Sequence, residues 1–272
     1  MKNKQISILG CGWLGLPLAK YFTAKGFKVK GSTTSKEKIN LLKSNNITPY
    51  VFTLGEENND SKYLDFLNKS AVVFINIPPK LEDDVETIYK NQIKVLFPFI
   101  SDNQHVVFIS STSVYQNTNN WVTEDLELYP EKSSGKAILA LEDLLQKELK
   151  QRLTIIRFSG LVGPERLPGK FLAGKKELSN RNGLVNVIHQ TDCIRLIFEV
   201  VNKNCWGEII NGCADKHPTR EDYYTKAATK IGLEPPTFLK DSNLSFKKVC
   251  NKKGKTLLDF KYQFSDPMGI LE

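Results

Sequence analysis

The residues 8–16 read ILGCGWLGL, and Gly10, Gly12 and Gly15 in it fit the spacing G-x-G-x-x-G. The chemistry of such a turn is anion binding. Backbone N–H groups and the positive end of a helix dipole face a phosphate, and glycines let the phosphate come close. The spacing alone is weak. Here KQISILG (4–10) has the Ile and Leu content of a strand, and 13–25 reads as a helix with Leu14, Leu18 and Phe22 on one stripe. A strand before and a helix after is the context the dinucleotide fingerprint requires. Gly10, Gly12, Trp13, Leu14 and Gly15 are the candidate pyrophosphate contacts. The plain alternative is a glycine turn that only packs a helix tightly.

The end of the second predicted strand, FKVKGS (27–32), is where an acidic residue would bind the ribose hydroxyls of NAD. The stretch is GSTTSKEK, with no acid before Glu37. Ser32, Thr33, Thr34 and Lys36 offer hydroxyls and one positive charge to a 2′-phosphate. This favours NADP(H) over NAD(H). The alternative is that these residues only cap the following helix.

Two further stretches carry hydroxyls. HVVFISSTSVY (105–115) is a buried-type strand ending in serines and threonine. PEKSSGKAILALED (130–143) opens an amphipathic helix with Ile138, Leu141, Leu145 and Leu149 at helical spacing. Ser134 and Ile138 are four apart and share a face.

Regular alternation of strands and helices must position these groups. After the second strand, 36–44 reads as a short helix and 47–54 as a strand demoted by Pro49. AVVFINIPP (71–79) is a near-continuous apolar run, followed by a helix from about Glu82 to Ile100. The helix at 134–149 leads to the strand LTIIRFSG (153–160). The pattern predicts an α/β Rossmann fold, a doubly wound parallel sheet with a small C-terminal substrate-side lobe. Residues 1–160 form the NAD(P)-binding domain, completed by segments within 184–211, and 161–272 form the smaller region. In that region 160–170 reads as a loop, 184–188 and 208–211 as short strands, and 191–202 and 219–231 as helices, with Thr219 an N-cap. The last stretch reads as basic and irregular.

GCGWLG, SSTSVY (110–115) and GKAILALE (135–142) together resemble the extended short-chain dehydrogenases/reductases. RFSGLVGP (157–164) and NVIHQTD (186–192) are similar to that family's later segments. DKHPTREDYY (215–224) and the GWLG form of the turn resemble its atypical, YeeZ-like branch of NAD(P)-dependent epimerase/dehydratases. The resemblance covers nearly the whole chain. It implies a Ser that polarises a substrate oxygen, a Tyr acting as general acid/base, and a Lys four residues later that lowers the Tyr pKa. Ser111, four before Tyr115, matches the Ser. Ser134 falls at the Tyr position and Ile138 at the Lys position, so the usual Tyr–Lys pair is absent. Candidate substitutes are Lys136, about 200° around the helix from Ser134, together with Lys132 and Tyr129. The resemblance further places Asn76, Ile77 and Pro78 beside the adenine ribose and Ser159 and Gly160 near the nicotinamide. It makes Tyr115 a packing residue, gives His189 and Asp192 a structural reading, and puts Arg166 toward an anionic substrate.

The 272 residues carry a net charge of +8, and several lysines cluster at 247–255. A solvated face is the preferred reading of them, and nucleic-acid binding, which has no motif behind it, is disfavoured. The five scattered cysteines and three histidines show no metal-ligand spacing, so no metal is expected. No apolar run approaches the roughly 20 residues of a membrane span. The short apolar stretch at the N-terminus does not fit a secretory signal. The expectation is a cytoplasmic NADP(H)-binding protein, monomer or homodimer. It would act as an oxidoreductase or epimerase/dehydratase on a small polar or nucleotide-sugar-like substrate. The rival reading is a non-catalytic NAD(P)H sensor or scaffold.

Overall fold

The computed structural model describes residues 4–56, 59–80, 83–240 and 243–271. The chain opens with β1 (Gln5–Leu9), α1 (Gly15–Ala24), β2 (Lys28–Thr33), α2 (Lys38–Ser44), β3 (Ile47–Val51), α3 (Asp60–Leu67), β4 (Ser70–Ile75), α4 (Val85–Lys94) and β5 (His105–Ser111). It continues with β6 (Trp121–Val122), α5 (Ser133–Leu149), β7 (Leu153–Phe158), β8 (Gly160–Val162), α6 (Gly169–Leu172), β9 (Val187–His189) and α7 (Gln190–Asn202). Last come β10 (Ile209–Gly212), α8 (Arg220–Lys230), β11 (Lys248–Val249) and α9 (Lys252–Leu258).

Seven strands form one sheet in the order β10-β7-β5-β4-β1-β2-β3. The pairs β1–β2, β1–β4, β2–β3 and β4–β5 are parallel. Strand order reverses at β1, with β2 on one side and β4 on the other, which makes the carboxyl ends of β1 and β4 the switch point of a doubly wound sheet. Ile6, Ile8, Val73, Phe74, Val106, Val107 and Phe108 are fully buried, as strands covered on both faces must be. Phe22 of α1 packs on Phe74 with ring centroids 5.3 Å apart. Pro49 is accommodated because β3 is an edge strand, where one missing N–H donor is harmless.

Several elements differ from the sequence reading. The apolar run at 71–79 leaves the sheet after Ile75, before Pro78 and Pro79. The long helix expected to Ile100 ends at Lys94, and a 3₁₀ turn carrying Pro98 follows. Its expected first residue, Glu82, lies outside the described residues. Helix α3 escaped notice because only Tyr63, Phe66 and Leu67 of its eight residues are buried, too few for a stripe. The 160–170 loop begins as β8, which pairs in parallel with β9. The basic C-terminal stretch contains α9 and β11, and β11 pairs with β6 in parallel.

The chain divides into two compact units. The first comprises residues 1–110, 132–156 and 200–209, and the second 111–131, 157–199 and 210–272. The sequence reading draws its line at residue 160 and expects segments within 184–211 to complete the first domain; in space the chain returns to the first unit twice after leaving it. The second unit has its own apolar cluster, in which Val162, Val185 and Val187 meet Tyr223, Ala227 and Leu271. A Cβ on Gly169 would lie 2.3 Å from the Ala227 carbonyl oxygen, so α6 and α8 pack at backbone contact. Asp192 fastens the tail: its fully buried carboxylate accepts hydrogen bonds from the Gln263 N–H (2.9 Å), the Phe264 N–H (2.8 Å) and Arg195 (2.7 Å).

Candidate functional site

The switch point holds the glycine turn, tied down by neighbours that the sequence had marked for other work. The Gly10 N–H donates to Ser32 Oγ at 2.9 Å, and the Cys11 N–H donates to the Ser32 carbonyl at 2.8 Å. Asn76 donates from Nδ2 to the Gly10 carbonyl at 3.0 Å, and its own N–H donates to the Leu9 carbonyl. Gly10 has a φ of +94°, and a Cβ there would sit 2.6 Å from the Asn76 carbonyl oxygen. A Cβ on Gly15 would lie 2.0 Å from the Gly10 oxygen. These two glycines are required by the turn's own packing. Gly12 is different. It is exposed, and a Cβ there would meet nothing within 4 Å. Nothing within the chain requires glycine at that crest, and the space above it is open.

Helix α1 begins at this crest with no side-chain cap at Leu14 and no acid in its first turn. Such a start leaves the positive end of the helix to an anion. Leu14 itself is buried in the core, and Trp13 is half-buried. The residues present therefore fit the pyrophosphate of a dinucleotide.

The β2 end divides the four expected phosphate contacts. Ser32 and Thr33 are buried, and the Thr33 hydroxyl accepts from the Ser35 N–H at 3.1 Å. Thr34 and Lys36 are exposed. The hydroxyls of Ser32 and Thr33 thus act within the turn, while Thr34 and Lys36 face outward. Lys38, which sequence reasoning passed over, lies close enough to Cys11 to act on its thiol electrostatically. Burial outweighs that effect and pushes the Cys11 thiol up to about 12, so it is inert as a nucleophile. At the β4 end, the Ile77 carbonyl accepts from the Tyr89 hydroxyl at 2.6 Å, and Pro78 is exposed.

At the end of β5, Ser110 donates to the fully buried Glu142 of α5. Glu142 lies four residues beyond Ile138, itself four beyond Ser134, so one face of α5 carries all three. Ser134 is half-buried, Ile138 is buried and Lys136 is exposed on a different face. Ser111 is half-exposed, and its Oγ accepts from the Ser113 N–H at 3.1 Å. Lys132 and Tyr129 are both exposed, and a hydrogen bond to Glu127 raises the Tyr129 pKa, away from acid/base use near neutrality.

The second unit holds the remaining candidates. Tyr115 is buried, donates to Asn211 at 2.9 Å and accepts from Arg157 at 2.9 Å. Glu124 accepts from the Asn211 N–H at 2.8 Å. Burial raises the Tyr115 pKa, against the pull of Arg157. This buried network is structural, and no local pattern in the sequence marks Arg157 or Asn211 as its members. Ser159 is buried with its hydroxyl beside the Cys213 thiol, which burial pushes up to about 12. His189 packs against Phe264 with centroids 3.9 Å apart and planes tilted by 37°, and its Nδ1 accepts from the Thr191 N–H. Arg166 is exposed on a tight turn, its backbone paired with that of Gly163. The lysines of the basic stretch have work to do. Lys247 donates to the Tyr115 carbonyl, Lys248 lies 4.3 Å over the Trp121 ring, and Lys255 pairs with Asp215.

All three histidines have lowered pKa values, with burial the first cause in each. His217, pressed by burial and then by Lys248, falls to about 4. A histidine held neutral in the fold stabilises it above its unfolded pKa of about 6.5. That contribution is lost as pH falls through the window from about 6.5 to 4. For His217 it is worth about 1–2 kcal/mol once its partial exposure is allowed for. Urea unfolding at pH 7.5 and 5 should show the loss, and His217→Gln should flatten it.

The switch-point turn, the uncapped α1 and the seven-stranded sheet define an NAD(P)-binding Rossmann fold. Residues 4–139 match the UDP-glucose/GDP-mannose dehydrogenase family, NAD binding domain. Protein YeeZ of Escherichia coli K12 is 33% identical over 97% of this chain and 98% of its own length. The chain belongs to the YeeZ family. Among solved structures, dTDP-glucose 4,6-dehydratase from Bacillus anthracis, in complex with NAD, superposes with a TM-score of 0.79 at 16% identity, over 98% of this chain and 94% of that one. UDP-N-acetylglucosamine 4-epimerase from Bacillus cereus superposes with a TM-score of 0.75 at 15% identity, over 99% and 98%. At such identities these two establish the epimerase/dehydratase-like fold. Among the described residues, no helix is long and apolar enough to cross a membrane.

Proposed function

We propose that the chain binds NADP(H) in preference to NAD(H). We further propose that it serves as an oxidoreductase or epimerase/dehydratase on a small polar, nucleotide-sugar-like substrate without a Tyr–Lys pair. The observation that carries the reading is the open crest at Gly12 above an uncapped α1. The outward-facing Thr34 and Lys36, with no acid at the β2 end, support the 2′-phosphate. The dTDP-glucose and UDP-N-acetylglucosamine enzymes of like fold support the substrate class.

In this reading, the turn at Gly10–Gly15 binds the pyrophosphate and Lys36 holds the 2′-phosphate. Ser111 donates a hydrogen bond to the substrate oxygen. The bound nicotinamide supplies or accepts hydride. Ser134, a far weaker acid than tyrosine, orients substrate through its hydroxyl and does not move a proton. NADPH should bind at least about tenfold more tightly than NADH, the worth of one charge-assisted phosphate contact. Lys36→Glu should remove that preference. Equal affinity for both cofactors in the unaltered protein would overturn the NADP(H) assignment.

A second reading, cofactor sensing without turnover, is favoured by the buried apolar Ile138, which shares a face of α5 with Ser134. Exchange of deuteride between labelled NADPH and a panel of nucleotide sugars, with NADP⁺ present to take the sugar's own hydride first, separates the two. Exchange that disappears in Ser111→Ala supports the enzyme. Tight NADPH binding with no exchange, unaltered in Ser111→Ala, supports the sensor.

A further inference from the structure

The chain has six arginines, and one of them differs from the rest. Arg152 donates to the Ser101 carbonyl and pairs with Asp102, Arg157 donates to Tyr115, Arg181 pairs with Glu221, and Arg195 pairs with Asp192. Arg166 is likewise engaged. The side chain of Arg220, the first residue of α8, donates to no acceptor among the described residues. Its two acidic neighbours are occupied elsewhere. Glu221 faces Arg181, and Asp222 accepts from the Thr219 hydroxyl at 2.6 Å.

The Arg220 guanidinium is held in place by other means, all within the second unit. The Arg220 N–H donates to the Gly183 carbonyl at 2.8 Å, which fixes the backbone at the start of α8. The guanidinium carbon lies 6.0 Å from the centroid of Tyr224, one helical turn on, and 5.9 Å from that of Phe238. Both rings are themselves anchored. Tyr224 makes a T-shaped contact with the fully buried Tyr223 at 5.3 Å. Phe238 bridges to Leu178, and the Leu239 N–H donates to the Leu178 carbonyl at 3.1 Å. The Nε of Arg220 is closed off from solvent, while the residue as a whole is half-buried. Nη1 and Nη2 are the nitrogens that reach the surface, so a ligand would use these two and not Nε.

A guanidinium against aromatic rings is attracted to them and partly stripped of water. Its planar fork donates to two oxygens of one anion at once. The side chain is fixed before an anion arrives, so little ordering cost remains. Water can satisfy the two nitrogens but leaves the charge without a partner. A carboxylate brings a single charge, whereas a phosphate brings about two. We propose that Arg220 anchors a phosphate-binding site on the second unit, one that shares no residue with the glycine turn. The phosphate accepts from Nη1 and Nη2, and Tyr224 and Phe238 hold the guanidinium ready to receive it. The phosphate belongs to a free pyrophosphate ion or to the diphosphate of a nucleotide, and the nucleotide source rests on the substrate reading given above.

Pyrophosphate, UDP and acetate are the probes. They are titrated into the full chain carrying Gly12→Val, so that the glycine turn does not take up the phosphates. The Arg220 Nε–H proton signal is the reporter, because its closure from solvent slows its exchange. Pyrophosphate should shift this signal saturably and bind at least about tenfold more tightly than acetate. Arg220→Gln, read by calorimetry, should weaken pyrophosphate about tenfold. Arg220→Lys keeps the charge without the fork and should recover only part of the binding. Phe238→Leu leaves the arginine in place and should weaken pyrophosphate by a smaller factor. UDP binding tighter than pyrophosphate assigns the site to a nucleotide, and UDP binding no tighter assigns it to the free ion. No saturable shift, equal affinity for acetate, or unaltered binding in Arg220→Gln overturns the proposal. NADPH titration of Arg220→Gln with Gly12 intact reports on the glycine turn by itself, so failure of that reading is told apart from failure of this one.

Discussion

Gly12→Val is expected to abolish dinucleotide binding while leaving the fold as stable as before. A Cβ at this position meets nothing within 4 Å, so the substitution should change stability by no more than about 0.5 kcal/mol. The added methyls would fill the space above the crest through which a pyrophosphate must pass. Affinity for NADPH should fall about 100-fold or more, equivalent to about 2.7 kcal/mol. Gly15→Ala is the informative contrast. Its Cβ would lie 2.0 Å from the Gly10 carbonyl oxygen and 2.8 Å from Asn76 Nδ2, and neither the backbone oxygen nor its tether can yield cheaply. That variant should lose about 3 kcal/mol and its dinucleotide affinity together. Thermal melts and NADPH titrations on both variants check the pair. If Gly12→Val still bound NADPH normally, the crest would not face the cofactor and the proposed function would fall with it.

Asp192→Ala is expected to cost about 3–5 kcal/mol and to loosen the C-terminal tail. The buried carboxylate gathers the N–H groups of Gln263 and Phe264 and the Arg195 guanidinium. Removing it takes the acceptor from all three donors, and a donor left without its acceptor costs about 1–3 kcal/mol where water cannot reach it. For a chain of this size the melting temperature should fall by roughly 6–12 °C. Hydrogen exchange at Gln263 and Phe264 should rise before the rest of the chain opens, because their protection depends on this one carboxylate. Asp192→Asn keeps one acceptor oxygen and should lose about half as much. A melting temperature unchanged in Asp192→Ala would show that the tail is held by other contacts, such as His189 against Phe264.

The two outcomes differ because glycine at position 12 and aspartate at position 192 answer to different demands. Gly12 meets no internal contact and is open to an external ligand. Asp192 is wholly internal, and its partners Arg195, Gln263 and Phe264 make it a structural anchor. The Ser110–Glu142 and Tyr115–Asn211–Arg157 contacts are of the second kind, since each buries polar groups that satisfy one another.

The sequence by itself determined what depends on local periodicity and short spacing. The apolar runs of β1, β4, β5 and β7, the stripe of α5, the Thr219 cap of α8 and the glycine turn are all visible within a dozen residues, because burial on one face repeats with the period of the element. That Ser134 and Ile138 share one face of α5 is legible for the same reason, from their spacing alone. Only the tertiary structure decided which polar groups were already engaged. Ser32 and Asn76 look like ligand contacts in sequence, yet they hold Gly10 from positions 22 and 66 residues away. Cys11 and Lys38 come together, and His105 meets Trp206, only after the strands align. A hydrogen bond between residues far apart in sequence leaves no periodic trace in either segment, so its existence is settled by packing, where a buried donor must find an acceptor or lose its bond to water.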